Sequence, residues 1–207
     1  MSGLAQALRK TIPSDTFTDT EVFGVAKEQC WDLPGYLRTA ISSGDLIRLR
    51  QGVYCFGKRL RRGLISSYEA AHKIYPFCHI SLESALSYHG WIPEAVFTTT
   101  SVTWRKSAKF ETPLGMFSFT RMPECTYQGV ERVVQGNAIF LIATPTKALA
   151  DYVVVHKVDD PPMRVFGSLR IEEESYAQVD SGLFAALAET YRSKRLERFE
   201  RELRLIR

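Results

Sequence analysis

Apolar residues in the first third of the chain recur at spacings that change from helical to strand-like. Leu4, Ala7 and Leu8 share one face of a helix over residues 2–10, which Pro13 stops. Phe17 then reads as a buried staple, and Thr18 or Asp19 as the N-cap of a short second helix through Val22 and Val25. A third helix takes Asp32 as N-cap and Pro34 in its first turn, points Leu33, Leu37, Ala40 and Ile41 inward, and ends at Gly44 in the C′ position. Its outward face carries Tyr36, Arg38 and Thr39. From Leu46 to Phe56 the period becomes two, with a turn at Gln51-Gly52. Alternation through that hairpin places Ile47 and Leu49 on one face and Arg48 and Arg50 on the other.

Residues 58–63 read as a linker. Beyond them, 64–75 predicts a helix with Ile65, Tyr68, Ala71 and His72 on one stripe, ended by Pro76. Ser81 caps a further helix through Leu82, Ala85 and Leu86, stopped by Gly90. Alternation predicts strands at 97–104, 116–122 and 138–142. Thr144-Pro145 opens a helix to about Val155 in which Lys147 and Asp151 form an i, i+4 pair on the helix surface. Residues 159–175, with adjacent prolines and Glu172 to Glu174 in a row, read as mostly loop, and a long helix runs from Leu183 to the end. The fold class this predicts is α+β. Three short helices and a basic hairpin over residues 1–60 are the order of a winged helix-turn-helix, followed over 64–207 by a mixed α/β domain with a long terminal helix.

Charge sharpens that picture. The net +4 of the 207 residues lies wholly in residues 1–63, which hold ten Lys/Arg against six Asp/Glu. Between Arg38 and Arg62 seven cations face the single acid Asp45. A cationic stretch on a winged helix fits a polyanion. We therefore expect Tyr36, Arg38 and Thr39 to meet the major groove of double-stranded DNA, and Arg48, Arg50, Lys58, Arg59, Arg61 and Arg62 to hold its backbone. No apolar run approaches the length of a membrane span. The opening residues lack a signal-peptide core, so the chain reads as a cytoplasmic protein without a membrane partner. Cys30, Cys55, Cys78 and Cys125 match no zinc or redox spacing and read as buried free thiols.

Catalytic constellations are thin, so no enzyme, cofactor or metal is expected. His79, Glu83 and His89 have no zinc spacing; Lys147 has no Gly-rich loop before it; Ser81 and Ser84 lack a nucleophile elbow. The alternatives are a C-terminal nucleic-acid- or nucleotide-processing enzyme targeted by the winged helix, or a winged helix that binds protein. Near the C-terminus, Leu196, Phe199, Leu203 and Ile206 form the seam of a helix that packs either on its own domain or on a second copy as a homodimer.

Three stretches carry a family likeness. They are Gly44-Asp45-Leu46-Ile47-Arg48-Leu49-Arg50-Gln51-Gly52-Val53-Tyr54; the run from Ile80 to Glu94, continuing to Thr100-Ser101-Val102-Thr103 and Glu111-Thr112-Pro113-Leu114-Gly115; and Ala143-Thr144-Pro145-Thr146-Lys147-Ala148-Leu149-Ala150-Asp151. These resemble the AbiEi-like antitoxins of bacterial type IV toxin–antitoxin systems, across about the span from Phe17 to Tyr152. The resemblance implies a transcriptional repressor of its own operon acting on inverted repeats, with a C-terminal region that neutralises a nucleotidyltransferase-like toxin without a required direct contact. Two features depart from the family: Thr146 stands where it often has an acid, and the closing helix matches nothing in it.

Overall fold

The structure is a computed structural model that describes residues 3–28, 32–94, 96–122 and 127–206. It is mixed α+β and divides into two compact units. The first comprises residues 1–76 with the segments 111–115 and 134–139; the second holds the remainder.

In the first unit the order is α1 (Gly3–Thr11), β1 (Thr16–Thr18), α2 (Asp19–Glu28), α3 (Leu33–Ser42), β2 (Leu46–Arg50), β3 (Val53–Phe56) and α4 (Ser67–Ile74). α1 buries Leu4, Ala5 and Leu8. Phe17 lies not in a helix staple but in β1, a three-residue strand paired with β3 in the sheet order β1-β3-β2. Opposite Tyr54 in that ladder, its ring centroid stands 4.7 Å from that of Phe56. α2 begins with the acidic half of a capping box: the Glu21 carboxylate accepts from the Thr18 backbone N–H at 2.7 Å and from its hydroxyl at 3.0 Å. α3 ends in a Schellman motif, with Gly44 at φ +71°, its N–H donating to Ile41 O, and the Asp45 N–H donating to Ala40 O. These devices seat α1–α3 around a core of Leu4, Leu8, Phe17, Val22, Ala40, Leu46 and Phe56.

α4 buries Glu69, Ala70, Ala71 and Ile74 rather than the expected stripe through Ile65, Tyr68 and His72. The reason is polar. Glu69 accepts from the hydroxyls of Ser14 at 2.7 Å and Thr16 at 2.8 Å, which turns this carboxylate inward.

The second unit holds all of a mixed sheet of order β6-β7-β5-β4-β9-β8 except its residues within 111–115 and 134–139: β4 (Cys78–Ile80), β5 (Thr98–Thr103), β6 (Ala108–Thr112), β7 (Gly115–Arg121), β8 (Val130–Gln135) and β9 (Ala138–Ala143). Its helices are α5 (Leu82–Tyr88), α6 (Pro145–Val155), α7 (Pro162–Leu169), α8 (Glu173–Tyr176), α9 (Ser181–Tyr191) and α10 (Lys194–Leu205). Two expectations change here. The segment read as loop contains α7, because Pro161 and Pro162 occupy its N-cap and first turn, where a missing N–H costs nothing. The long terminal helix is two helices, broken where Arg192 takes a left-handed φ of +49° and Ser193 caps α10. No helix among the described residues is long and apolar enough to cross a membrane.

Candidate nucleic-acid interface

α3 is anchored by part-buried Leu33, Leu37 and Ile41 packed against the core and by fully buried Ala40. That leaves Tyr36, Arg38 and Thr39 exposed, as the outward face expected from the sequence. The Thr39 hydroxyl donates to the Gly35 carbonyl at 3.0 Å, back onto its own helix.

The hairpin departs from simple alternation. Arg48 lies opposite Tyr54 and Arg50 opposite Val53, so two steps on β2 match one on β3 and Leu49 is the extra residue of a bulge. Residues opposite one another in a ladder share a sheet face, and Tyr54 and Val53 lie on opposite faces. Arg48 and Arg50 therefore do not share a face. Arg50 turns back and donates to the Ile74 carbonyl at the end of α4. Arg48 is exposed and, with Tyr54, joins Arg38, Leu37 and Phe23 around an open cavity of about 820 Å³ between α3 and the hairpin. Burial and then the Asp19 carboxylate push the Tyr54 phenol up, against the pull of Arg48, so the phenol is neutral beside that cation.

The cations after the hairpin separate in the same way. Lys58 is exposed. Arg59 ion-pairs with Asp45 at 2.7 Å, a carboxylate that is wholly buried and also accepts from the Ser43 hydroxyl. Arg62 donates through its backbone N–H to Asp15 and through its guanidinium to the Pro13 carbonyl at 3.2 Å. Arg61 is half-buried and pulls on the Cys55 thiol, which burial nevertheless pushes up to about 12. Cys55 and Cys78 are buried free thiols; Cys30 and Cys125 lie outside the described residues.

A second polar constellation lies in the second unit, built from α6, β4 and α9. Lys147 and Asp151 form the expected i, i+4 pair, at 2.6 and 2.7 Å from Nζ to the two carboxylate oxygens. The pair is not on a surface: both side chains are 0% exposed. α6 packs against α5, α9 and α10 and buries every residue from Thr146 to Asp151, which leaves no solvent side for a bridge. Asp151 also accepts from Ser81 Oγ at 2.7 Å, from Tyr191 OH at 2.6 Å and from His79 Nε2 at 3.4 Å. Ser81 thus stands at the N-cap of α5 but spends its hydroxyl on Asp151 rather than on the cap. Burial alone raises the Asp151 pKa, but the Lys147 charge and the His79 hydrogen bond outweigh it and hold the carboxyl well below its ordinary range. Burial pushes His79 down, so its imidazole is neutral. Glu83 and His89 go elsewhere, to His156 at 3.1 Å and to the Ala143 carbonyl at 2.9 Å.

Leu196, Phe199 and Leu203 are 0%, 2% and 2% exposed within the second unit, where α10 packs on α9, α6 and α7. These three residues of the seam are covered by their own unit, whereas Ile206, the fourth, is 40% exposed.

No protein-family model matches the chain, and no curated protein is significantly similar to it.

Proposed function

We propose that the first unit is a winged helix-turn-helix that binds double-stranded DNA, and that the chain is a transcriptional repressor and antitoxin of a type IV toxin–antitoxin system. The order α1–β1–α2–α3–β2–β3, with the sheet β1-β3-β2, supports the winged-helix reading. The observation that carries the DNA reading is Arg38 on the third helix and Arg48 on the hairpin, exposed on the two walls of one open groove. A helix seated in a major groove brings a flanking hairpin onto the phosphate backbone, so one arginine reads and the other positions. Tyr36 and Thr39 complete the reading face, and Lys58 adds a backbone contact. Autoregulation through inverted repeats, a nucleotidyltransferase-like toxin as functional partner, and a binding rather than catalytic role for the second unit follow from the resemblance to AbiEi-like antitoxins.

The test is binding of the purified chain to duplex DNA from upstream of its own gene across a salt series. Arg48→Ala lowers affinity for all sequences and flattens the log–log salt dependence by about 0.9, the release expected for one phosphate contact. Arg50→Ala flattens that slope less than Arg48→Ala, because its guanidinium is directed at the Ile74 carbonyl. An absence of salt-dependent affinity for any duplex overturns the reading.

A further inference from the structure

Phe77 and Trp104 stand side by side at one end of the second unit's sheet. Phe77 immediately precedes β4 and Trp104 immediately follows β5, and the ladder sets Cys78 opposite Thr103. Thr103 ties the two together: its hydroxyl donates to the Phe77 carbonyl at 3.0 Å and accepts from the Arg105 N–H at 3.1 Å. Both rings face solvent, at 58% and 54% exposure, with centroids 5.8 Å apart. Tilted by 56°, they do not cover one another. Phe77 has a φ of +66°, a left-handed conformation unfavourable for a bulky L-residue and one that tends to persist where structure or function holds it.

The surroundings select the chemistry. The Arg105 guanidinium lies 6.0 Å from the Phe77 ring centroid, and Lys106 is exposed beside it. Arg121, opposite Thr103 at the end of β7, is exposed as well. Residues 95–110 and 115–122 contain these cations and Lys109 but no Asp or Glu. Two solvent-exposed aromatic rings with cations on the flanks match unstacked bases joined by phosphates. Duplex bases are stacked on each other and cannot use such rings, so the occupant is single-stranded.

We propose that Phe77 and Trp104 form a stacking platform for a single-stranded nucleic acid, whose phosphates are held by Arg105, Lys106 and Arg121. This surface belongs to the second unit, and the proposal does not depend on the duplex-binding reading of the first. The experiment titrates the full chain with short oligo(U) and oligo(dT) while following tryptophan emission; a preference between the two identifies RNA or DNA as the source. Stacking on Trp104 quenches emission. Trp104→Ala weakens single-strand affinity about tenfold and leaves duplex affinity unchanged, whereas Trp104→Phe retains the affinity but loses the quench. Trp104 is exposed, so neither substitution disturbs a core. Absence of quenching with both oligonucleotides, undiminished single-strand affinity in Trp104→Ala, or loss of self-association in place of nucleic-acid binding overturns the proposal.

Discussion

Replacing Lys147 by Met strands Asp151. The methionine keeps much of the lysine's apolar stem and removes its charge, so the buried carboxylate must either stay ionised without its cation or take up a proton. The second route sets a ceiling. Protonating a carboxyl of ordinary pKa 3.8 at pH 7 costs about 4.4 kcal/mol at 1.36 kcal/mol per pH unit, and at pH 5 about 1.6 kcal/mol. The donors from Ser81 and Tyr191 remain and soften the loss, as does release of the lysine's own desolvation. We expect a loss of about 3–4 kcal/mol at pH 7, in the range for breaking a buried pair, falling by about 2 kcal/mol or more at pH 5. Urea unfolding followed by circular dichroism at the two pH values measures it. The double variant Lys147→Met/Asp151→Leu leaves no stranded charge, and its loss is smaller than the sum of the two single losses. An equal loss at both pH values, or one below about 1 kcal/mol, refutes the account of Asp151 as a charge held by its lysine.

Two further outcomes follow from other parts of the chain. Since burial lowers the His79 pKa, the unfolded chain takes up a proton below pH 6.5 that folded His79 refuses; stability is full above that pH and falls as pH drops toward 5, by up to about 1.36 kcal/mol per unit. His79→Asn removes this component from a plot of urea midpoint against pH, and an unchanged slope excludes His79 as its source. Gly52 closes the hairpin at φ +77°, where an added Cβ would stand 2.7 Å from the Asp19 carboxylate, so Gly52→Ala lowers stability by about 1–3 kcal/mol. A melting temperature equal to the parent's excludes that strain.

The elements legible in the sequence are those with local punctuation. α3 was marked by Asp32, Pro34 and Gly44, the hairpin by Gln51-Gly52, and α6 by Thr144-Pro145, and each has its expected place. β1 and β4 are three residues each, too short for a period of two to show. The break between α9 and α10 has no Gly or Pro to announce it, because Arg192 itself takes the left-handed conformation. At the interface, the exposed face of α3 was legible from its apolar stripe. The splitting of Arg48 from Arg50 was not, since a bulge inverts alternation without changing composition. The Lys147–Asp151 pair was legible by spacing and its burial was not. A signal did exist: Ala148, Leu149, Ala150 and Val153 wrap α6 too widely for a helix with a solvent face.

The bulge at Leu49 also changes how the basic stretch is counted. Seven cations between Arg38 and Arg62 suggest a broad electrostatic footprint, but a guanidinium directed at a group of the fold is less able to make a direct contact with a ligand, even where its charge remains. Arg59 balances the buried Asp45, whose position is set by the Schellman turn that ends α3. Arg62 closes on the carbonyl after α1, and Arg50 on the last turn of α4. These three hold the ends of helices in place around the sheet. Arg38, Arg48 and Lys58 are exposed with no such tie, and come from α3, β2 and the segment after β3; Arg59 and Arg62 are exposed but tied, and Arg61 is half-buried. On the proposed reading, a phosphate backbone laid across Arg38, Arg48 and Lys58 would meet direct contacts from several elements rather than from one continuous basic run. Such a grip makes affinity depend on the relative placement of α3 and the hairpin, which the Gly44 and Gly52 turns determine.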